Sequence, residues 1–407
     1  MRYLLFFAVF MCLYGPRFKA LDLMFSFCVL IALANIAVFV LKRRMPKYLF
    51  IATAYLFFLF VLFMLHYFYY GTGDITHLGF IIKYIVYLYS ADFIVRSYFK
   101  TFNESGFGRL SVDMLNATAI NAIFVILMFF FDGFQRYMGN VLDYERQLMW
   151  VETGHRTFDL SLGGGALGSF VFSLVFIVAM FIPEKYRGSR YLLGLASVVL
   201  ATALMGRTGL YIIIIASILF FGYKCRSISL NMNIKSSTLI LNFLFFFLFC
   251  LGFVLLLFGD LNFDGNYFSW VLEGINGENR TANALREMWF LPDQETSLLL
   301  GHGNYGRSED YLIYSDVGYV RMLHATGILG ILVGYSIFFV ILFWGLPSVS
   351  FSADSEVLKK LLLIMIVMFL IMNLKELHLA ARGSTLILFF VFSSIFYSAK
   401  YLKERHS

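Results

Sequence analysis

Long apolar runs, each about 15 to 25 residues and each closed by a short polar or basic stretch, set the rhythm of this chain. Twelve stand out, at about 3–15, 21–41, 48–69, 78–95, 113–131, 164–182, 191–206, 209–223, 238–258, 319–344, 359–376 and 384–400. A run of that length predicts a helix that can cross the roughly 30 Å hydrocarbon core of a bilayer, since each helical residue rises about 1.5 Å. All five prolines, Pro16, Pro46, Pro183, Pro292 and Pro347, fall between the runs. There a residue without an amide proton breaks no helix hydrogen bond. The expected fold class is all-α: a polytopic membrane protein of about 12 transmembrane helices, forming one integral membrane domain over residues 1–407.

Composition agrees, with 60% hydrophobic and only 14% charged residues, which leaves no room for a soluble domain of ordinary size between the runs. The 49 Phe and 25 Tyr read as lipid-facing and interfacial surface. Cys12, Cys28 and Cys250 lie inside apolar runs, and Cys225 sits between Lys224 and Arg226. None has metal-ligand spacing or a partner in an outer loop, so no disulfide framework is expected. Residues Met1 to Tyr14 resemble a signal peptide in charge and apolar core but lack a small-x-small cleavage site, and so predict a short first span.

Short basic loops give the orientation. Lys42-Arg43-Arg44 with Lys47, then Arg96, Lys100 and Arg109, then Lys185, Arg187 and Arg190, then Lys224, Arg226 and Lys235, and finally Lys403 and Arg405 all fall on one side. The positive-inside rule makes that side cytoplasmic, with both termini inside, and turns the two long loops, 132–163 and 259–318, outward. Arg17 and Lys19 run against the rule at the first outer loop. The net charge of +7 is mostly this cytoplasmic rim against anionic lipid, and is no sign of a nucleic-acid partner.

In a chain of membrane filler, chemistry belongs where polar residues gather outside the spans. The outward side collects Arg207 between spans seven and eight, Arg280 and Arg286 in the long loop, Asp316, Arg321 and His324 entering span ten, and Lys375, Glu376, His378 and Arg382 between spans eleven and twelve. A guanidinium offers a planar fork of donors that fits a phosphate bidentately, and a diphosphate needs two or three of them. Arg207 is open to two readings, a ligand or a snorkelling helix-end arginine. If span ten starts near Asp316, then Asp316, Val320, His324 and Gly327 share one helix face, with carboxylate and imidazole as base and partner; the alternative is a helix cap at Asp316. His155 and His302 read as loop histidines, Gly327, Gly330 and Gly334 as a close-packing stripe, and Gly301-His302-Gly303 as a weak phosphate-loop signal with no strand before it. With no HExxH, CxxC or DxD pair, chemistry without metal or cofactor is expected.

Gly206-Arg207-Thr208 at a span's outer end, an arginine about twenty residues before a Gly-x-Gly, and Ser315-Asp316-Val317-Gly318-Tyr319-Val320-Arg321 running into Gly327-Ile328-Leu329-Gly330 resemble the O-antigen polymerase (Wzy) family and its relatives, the O-antigen ligases. The resemblance extends to the layout of about twelve spans with the largest periplasmic loop late in the chain. It implies a membrane glycosyltransferase of the C-type fold in the bacterial inner membrane. The implied substrates are undecaprenyl-diphosphate-linked oligosaccharides, and the implied partners a chain-length regulator and a flippase. It further implies that Arg207 and Arg280, with Arg286 competing for the loop role, contact the diphosphate, and that Asp316 stands where ligases carry a catalytic histidine.

Overall fold

The computed structural model describes residues 1–18, 21–71, 74–142, 157–161, 165–228, 283, 286–292, 295–305, 315–345, 353–378 and 380–406. The run at 238–258 lies outside them. The described residues are helical with no β-strand. Among the described residues, four helical stretches are long and apolar enough to cross a membrane: Leu23–Lys42, Lys47–Tyr70, Thr76–Phe130 and Gly318–Val340. The third has 55 residues, about 80 Å if straight, and is divided by a 3-10 turn at Asn103–Ser105. There Asn103 takes a positive φ of 51°, and a Cβ on Gly106 would lie 2.8 Å from the Phe99 ring.

The helices are α1 (Arg2–Tyr14), α2 (Leu23–Lys42), α3 (Lys47–Tyr70), α4 (Thr76–Phe102), α5 (Gly106–Phe130), α6 (Asp132–Val141), α7 (Gly165–Met180), α8 (Ser189–Met205), α9 (Arg207–Ile228), α10 (Glu295–Leu300), α11 (Gly318–Gly345), α12 (Ala353–Met372) and α13 (Ser384–His406). The chain divides into two compact units, one of residues 1–13, 24–110 and 279–407, the other of 14–23 and 111–278.

In the first unit α4 is the central helix, lying along α13 and α3, while α11 packs on α10 and α3, and α12 on α13. Lipid tails are as apolar as leucine, so close packing and hydrogen bonds between helices, more than water exclusion, hold such helices together. One knot of polar side chains does this at the end of the unit where α2 and α4 finish. Asp92 of α4, fully buried, accepts hydrogen bonds from Tyr397 of α13 at 2.9 Å, from Asn35 of α2 at 2.9 Å and from Tyr48 of α3. Arg96 donates to Asn35 Oδ1 and covers the Phe39 ring. A buried carboxyl with three donors, near the end of the apolar run 78–95, is a clasp between four helices.

In the second unit α7 packs on α8 and α9. The fit is tight: a Cβ on Gly209 would lie 2.6 Å from the Ser169 carbonyl oxygen, and Ser173 Oγ donates to the Gly209 carbonyl at 2.9 Å. The segment 132–163, expected from its polarity to be a loop, begins with ten residues that form the amphipathic α6. Phe134 and Met138, one helical turn apart, pack against the cluster of Met128, Leu142 and Phe158.

Candidate functional site

The main departure from the sequence reading is span ten. Inside α11, Gly327 has φ 67° and ψ −173°, a region essentially restricted to glycine. Tyr319 and Tyr335 lie on either side of it, and along an unbroken helix they would be about 24 Å apart. Their rings are 5.2 Å apart, so the arms 318–326 and 328–345 fold toward each other. A break of this kind opens backbone carbonyls that a bilayer cannot hydrate. Two of them are met by the long loop: His302 N–H donates to the His324 carbonyl at 2.7 Å and Gly303 N–H to that of Ala325 at 2.8 Å. The two backbones touch, since a Cβ on Gly301 (φ +76°) would lie 2.5 Å from Ala325 and one on Gly327 2.2 Å from the Leu299 oxygen. Gly301-His302-Gly303 is therefore a main-chain cap on a broken helix, and Gly327 is the break itself, not part of a packing stripe.

The segment beyond the cap is pinned as well. Tyr305 N–H donates to Asp74 Oδ2 at 2.8 Å, and Asp74 Oδ1 accepts from Thr76 N–H at the start of α4. Burial would raise the Asp74 carboxyl, but these bonds outweigh it and hold its pKa below the ordinary carboxylate value. The tether is thus present at neutral pH and lost on acidification through that lowered pKa. Nearby stand His77 and His66, rings 5.6 Å apart, with His66 Nε2 bonded to the Leu300 carbonyl at 2.7 Å and His77 against Tyr305. Burial pushes the Tyr305 phenol far up, so it stays a donor, to Met322 Sδ at 3.2 Å. Arg321 and Tyr84 lie within electrostatic reach of that hydroxyl. Tyr84 in turn accepts the Ala380 N–H at 3.2 Å, which ties in the loop between α12 and α13.

The sequence-derived residues fall as follows. Asp316 is exposed, two residues before the helix begins, while His324 is buried against Phe290 with its ring 6.4 Å from that of His302. The shared helix face expected of them does not form, because Asp316 is not helical. Nor does Asp316 cap α11, since its carboxylate makes no hydrogen bond among the described residues and the Val317 amide bonds Ser315 instead. Ser315 Oγ also donates to the Met288 carbonyl at 2.9 Å, which brings the turn of exposed Arg286 beside the segment that carries Asp316. Arg321 is half-buried in the first arm. His378 is fully buried and Arg382 half-buried in the loop that meets that arm's start, where Tyr319 N–H donates to the Asn373 carbonyl. Arg207 is the first residue of α9 in the second unit. That is the positive end of a helix dipole, where helix stability alone does not favour arginine. Arg280 lies outside the described residues.

Burial, reinforced by Lys375, pushes the His378 pKa down to about 3, so the imidazole is neutral at physiological pH and a weak base. An unfolded histidine titrates near 6.5. The unfolded chain therefore binds the extra proton first, and stability falls as pH drops from about 6.5 toward 3. In melts of the purified protein across that range, His378→Gln is expected to flatten part of this slope; an unchanged slope would refute it.

Sequence reading passed over His66, Asp74, His77, Tyr84 and Tyr305. A usable signal was present, because residues 70–77 lie between spans three and four, which the basic-loop pattern assigns to the same side as the long loop. No protein-family model, curated protein or solved structure matches this chain.

Proposed function

We propose that this protein is an O-antigen or related surface-polysaccharide polymerase of the bacterial inner membrane, with about twelve spans, both termini cytoplasmic and a C-type glycosyltransferase fold. It would join undecaprenyl-diphosphate-linked oligosaccharides at the periplasmic face. An acceptor hydroxyl attacks the anomeric carbon while guanidiniums stabilise the departing diphosphate, whose charge grows in the transition state. The observation that carries the reading is the gathering of Arg321, the exposed Asp316 and the turn of Arg286 around one broken-helix arm, packed against the loop of His378 and Arg382. Asp316 is the favoured base, because it is exposed and makes no hydrogen bond among the described residues, whereas His324 and His378 are buried. Arg207, Arg280, Arg286, Arg321 and Arg382 are the diphosphate candidates.

A ligase, with lipid A core as acceptor, would use the same chemistry. A lipid-linked oligosaccharide flippase gains support from one feature, the discontinuous helix, which is common at transporter binding sites. Deleting the gene and resolving surface polysaccharide on a gel separates the three. The expected result is single-repeat product; free polymer with bare lipid core would mean ligase, and loss of both would mean flippase.

A further inference from the structure

The apolar stripe of α6 is only half covered by its own unit. Phe134, Tyr137, Met138 and Val141 are spaced i, i+3, i+4 and i+7, which places them on one stripe of the helix, while Asp132, Arg136 and Asn140 lie on the opposite side. One edge of the stripe is packed: the Phe134 ring meets that of Phe124 at 5.4 Å, and Met138 rests on the cluster of Met128, Leu142 and Phe158. The other edge is bare, with Tyr137 64% and Val141 38% exposed. The packed edge fixes the depth of the bare one. Phe124 stands about 9 Å short of the end of α5 at Phe130, and Met128 about 3 Å short. Leu142, about 12 Å along α6 from Phe134, belongs to the same cluster, so α6 runs across the end of α5 and does not climb away from it. Tyr137 and Val141 are therefore level with the last two turns of α5.

We propose that α6 is a bilayer-surface helix, its bare edge seated where the acyl chains give way to phospholipid headgroups. Two observations select lipid as the occupant. The first is continuity: α5 carries the apolar run 113–131, and its side turned away from buried Val125 and Met128 shows exposed Ile120, Ile123, Leu127 and Phe130 in one stripe. On a membrane helix such a stripe meets acyl chains, and exposed Phe131 carries it on into α6. The second is residue chemistry. Tyrosine, an apolar ring with a polar tip, favours the headgroup level, and Arg136 beside it has a stem long enough to hold its charge out among the phosphates. One Asp and one Arg leave α6 without net charge, so burial of apolar surface seats it, and anionic lipid is not required. The inference does not depend on which reaction the protein performs.

The test is spin labelling of the full-length protein in phosphatidylcholine bilayers, with a nitroxide placed singly through Arg136→Cys, Tyr137→Cys, Asn140→Cys and Val141→Cys. The unsubstituted protein, labelled in parallel, supplies the background from the native cysteines. Molecular oxygen concentrates among acyl chains and a neutral nickel chelate in water, so the ratio of their collision rates with the label reports its surroundings. The ratio is expected to be severalfold higher at 137 and 141 than at 136 and 140. Equal ratios at all four positions would put α6 in water, and labels at 137 and 141 that are immobile and shielded from both probes would mean that a second copy or another protein covers the edge; either result overturns the proposal. A second measurement needs no substitution. Wild-type protein irradiated in bilayers whose phospholipid carries a diazirine at the top of one acyl chain should acquire lipid adducts on Tyr137, and their absence from α6 would likewise overturn it.

Discussion

Replacing Gly327 with valine is expected to abolish polymer formation and to lower the melting temperature of the purified protein by several degrees. Two effects add. The backbone there lies in a region essentially closed to any residue with a Cβ, at about 1–3 kcal/mol or more, and that Cβ would fall 2.2 Å from the Leu299 oxygen, a main-chain atom that cannot swing aside. Relief requires arm 318–326 to leave the loop that caps it, which strips the His324 and Ala325 carbonyls of their partners. The control is Gly79→Ala in α4, where nothing lies within 4 Å of the added carbon; it should be silent or slightly stabilising, by up to about 1 kcal/mol. Normal polymer and normal melting in Gly327→Val would mean that the break is not required.

Asp316→Asn should slow polymerisation on the order of a hundredfold or more, the usual scale for a lost general base. Asparagine keeps the size of aspartate and removes its negative charge and its capacity to take a proton. Because Asp316 is exposed and makes no hydrogen bond among the described residues, the change should leave folding intact. Purified Asp316→Asn assayed with lipid-linked repeat units decides the point. A near-normal rate would remove Asp316 from catalysis and leave the arginines to act by charge stabilisation alone.

Much of the secondary structure was legible, because hydropathy over about twenty residues reports helices directly. Eleven of the twelve apolar runs lie in described helices, with ends displaced by up to seven residues, and the run at 238–258 lies outside the described residues. The break in span ten was not legible from hydropathy, which stays high straight through Gly327, and glycines spaced like Gly327, Gly330 and Gly334 are common in packed membrane helices. What could have exposed it is the pairing of Gly327 with Gly301 and Gly303, two stretches that need glycine because their backbones touch. The site was only partly legible for the same reason. Arg321 and Asp316 announce themselves as charges beside an apolar run. Tyr335 reads as one more interfacial aromatic until the two arms fold together, and α6 is too short and too polar for a hydropathy window to register.

The fold at Gly327 also makes bilayer thickness a variable of this protein. After the break, residues 328–345 supply about 27 Å of helix, while the neighbouring α3, with 24 residues, supplies about 36 Å. Against a hydrocarbon layer of about 30 Å the long helix must tilt or protrude and the short arm falls a few ångströms under, a mismatch that membranes relieve by thinning locally. A dimple at that spot would lower the headgroup plane toward Arg321, and lipids with longer or stiffer chains would work against it.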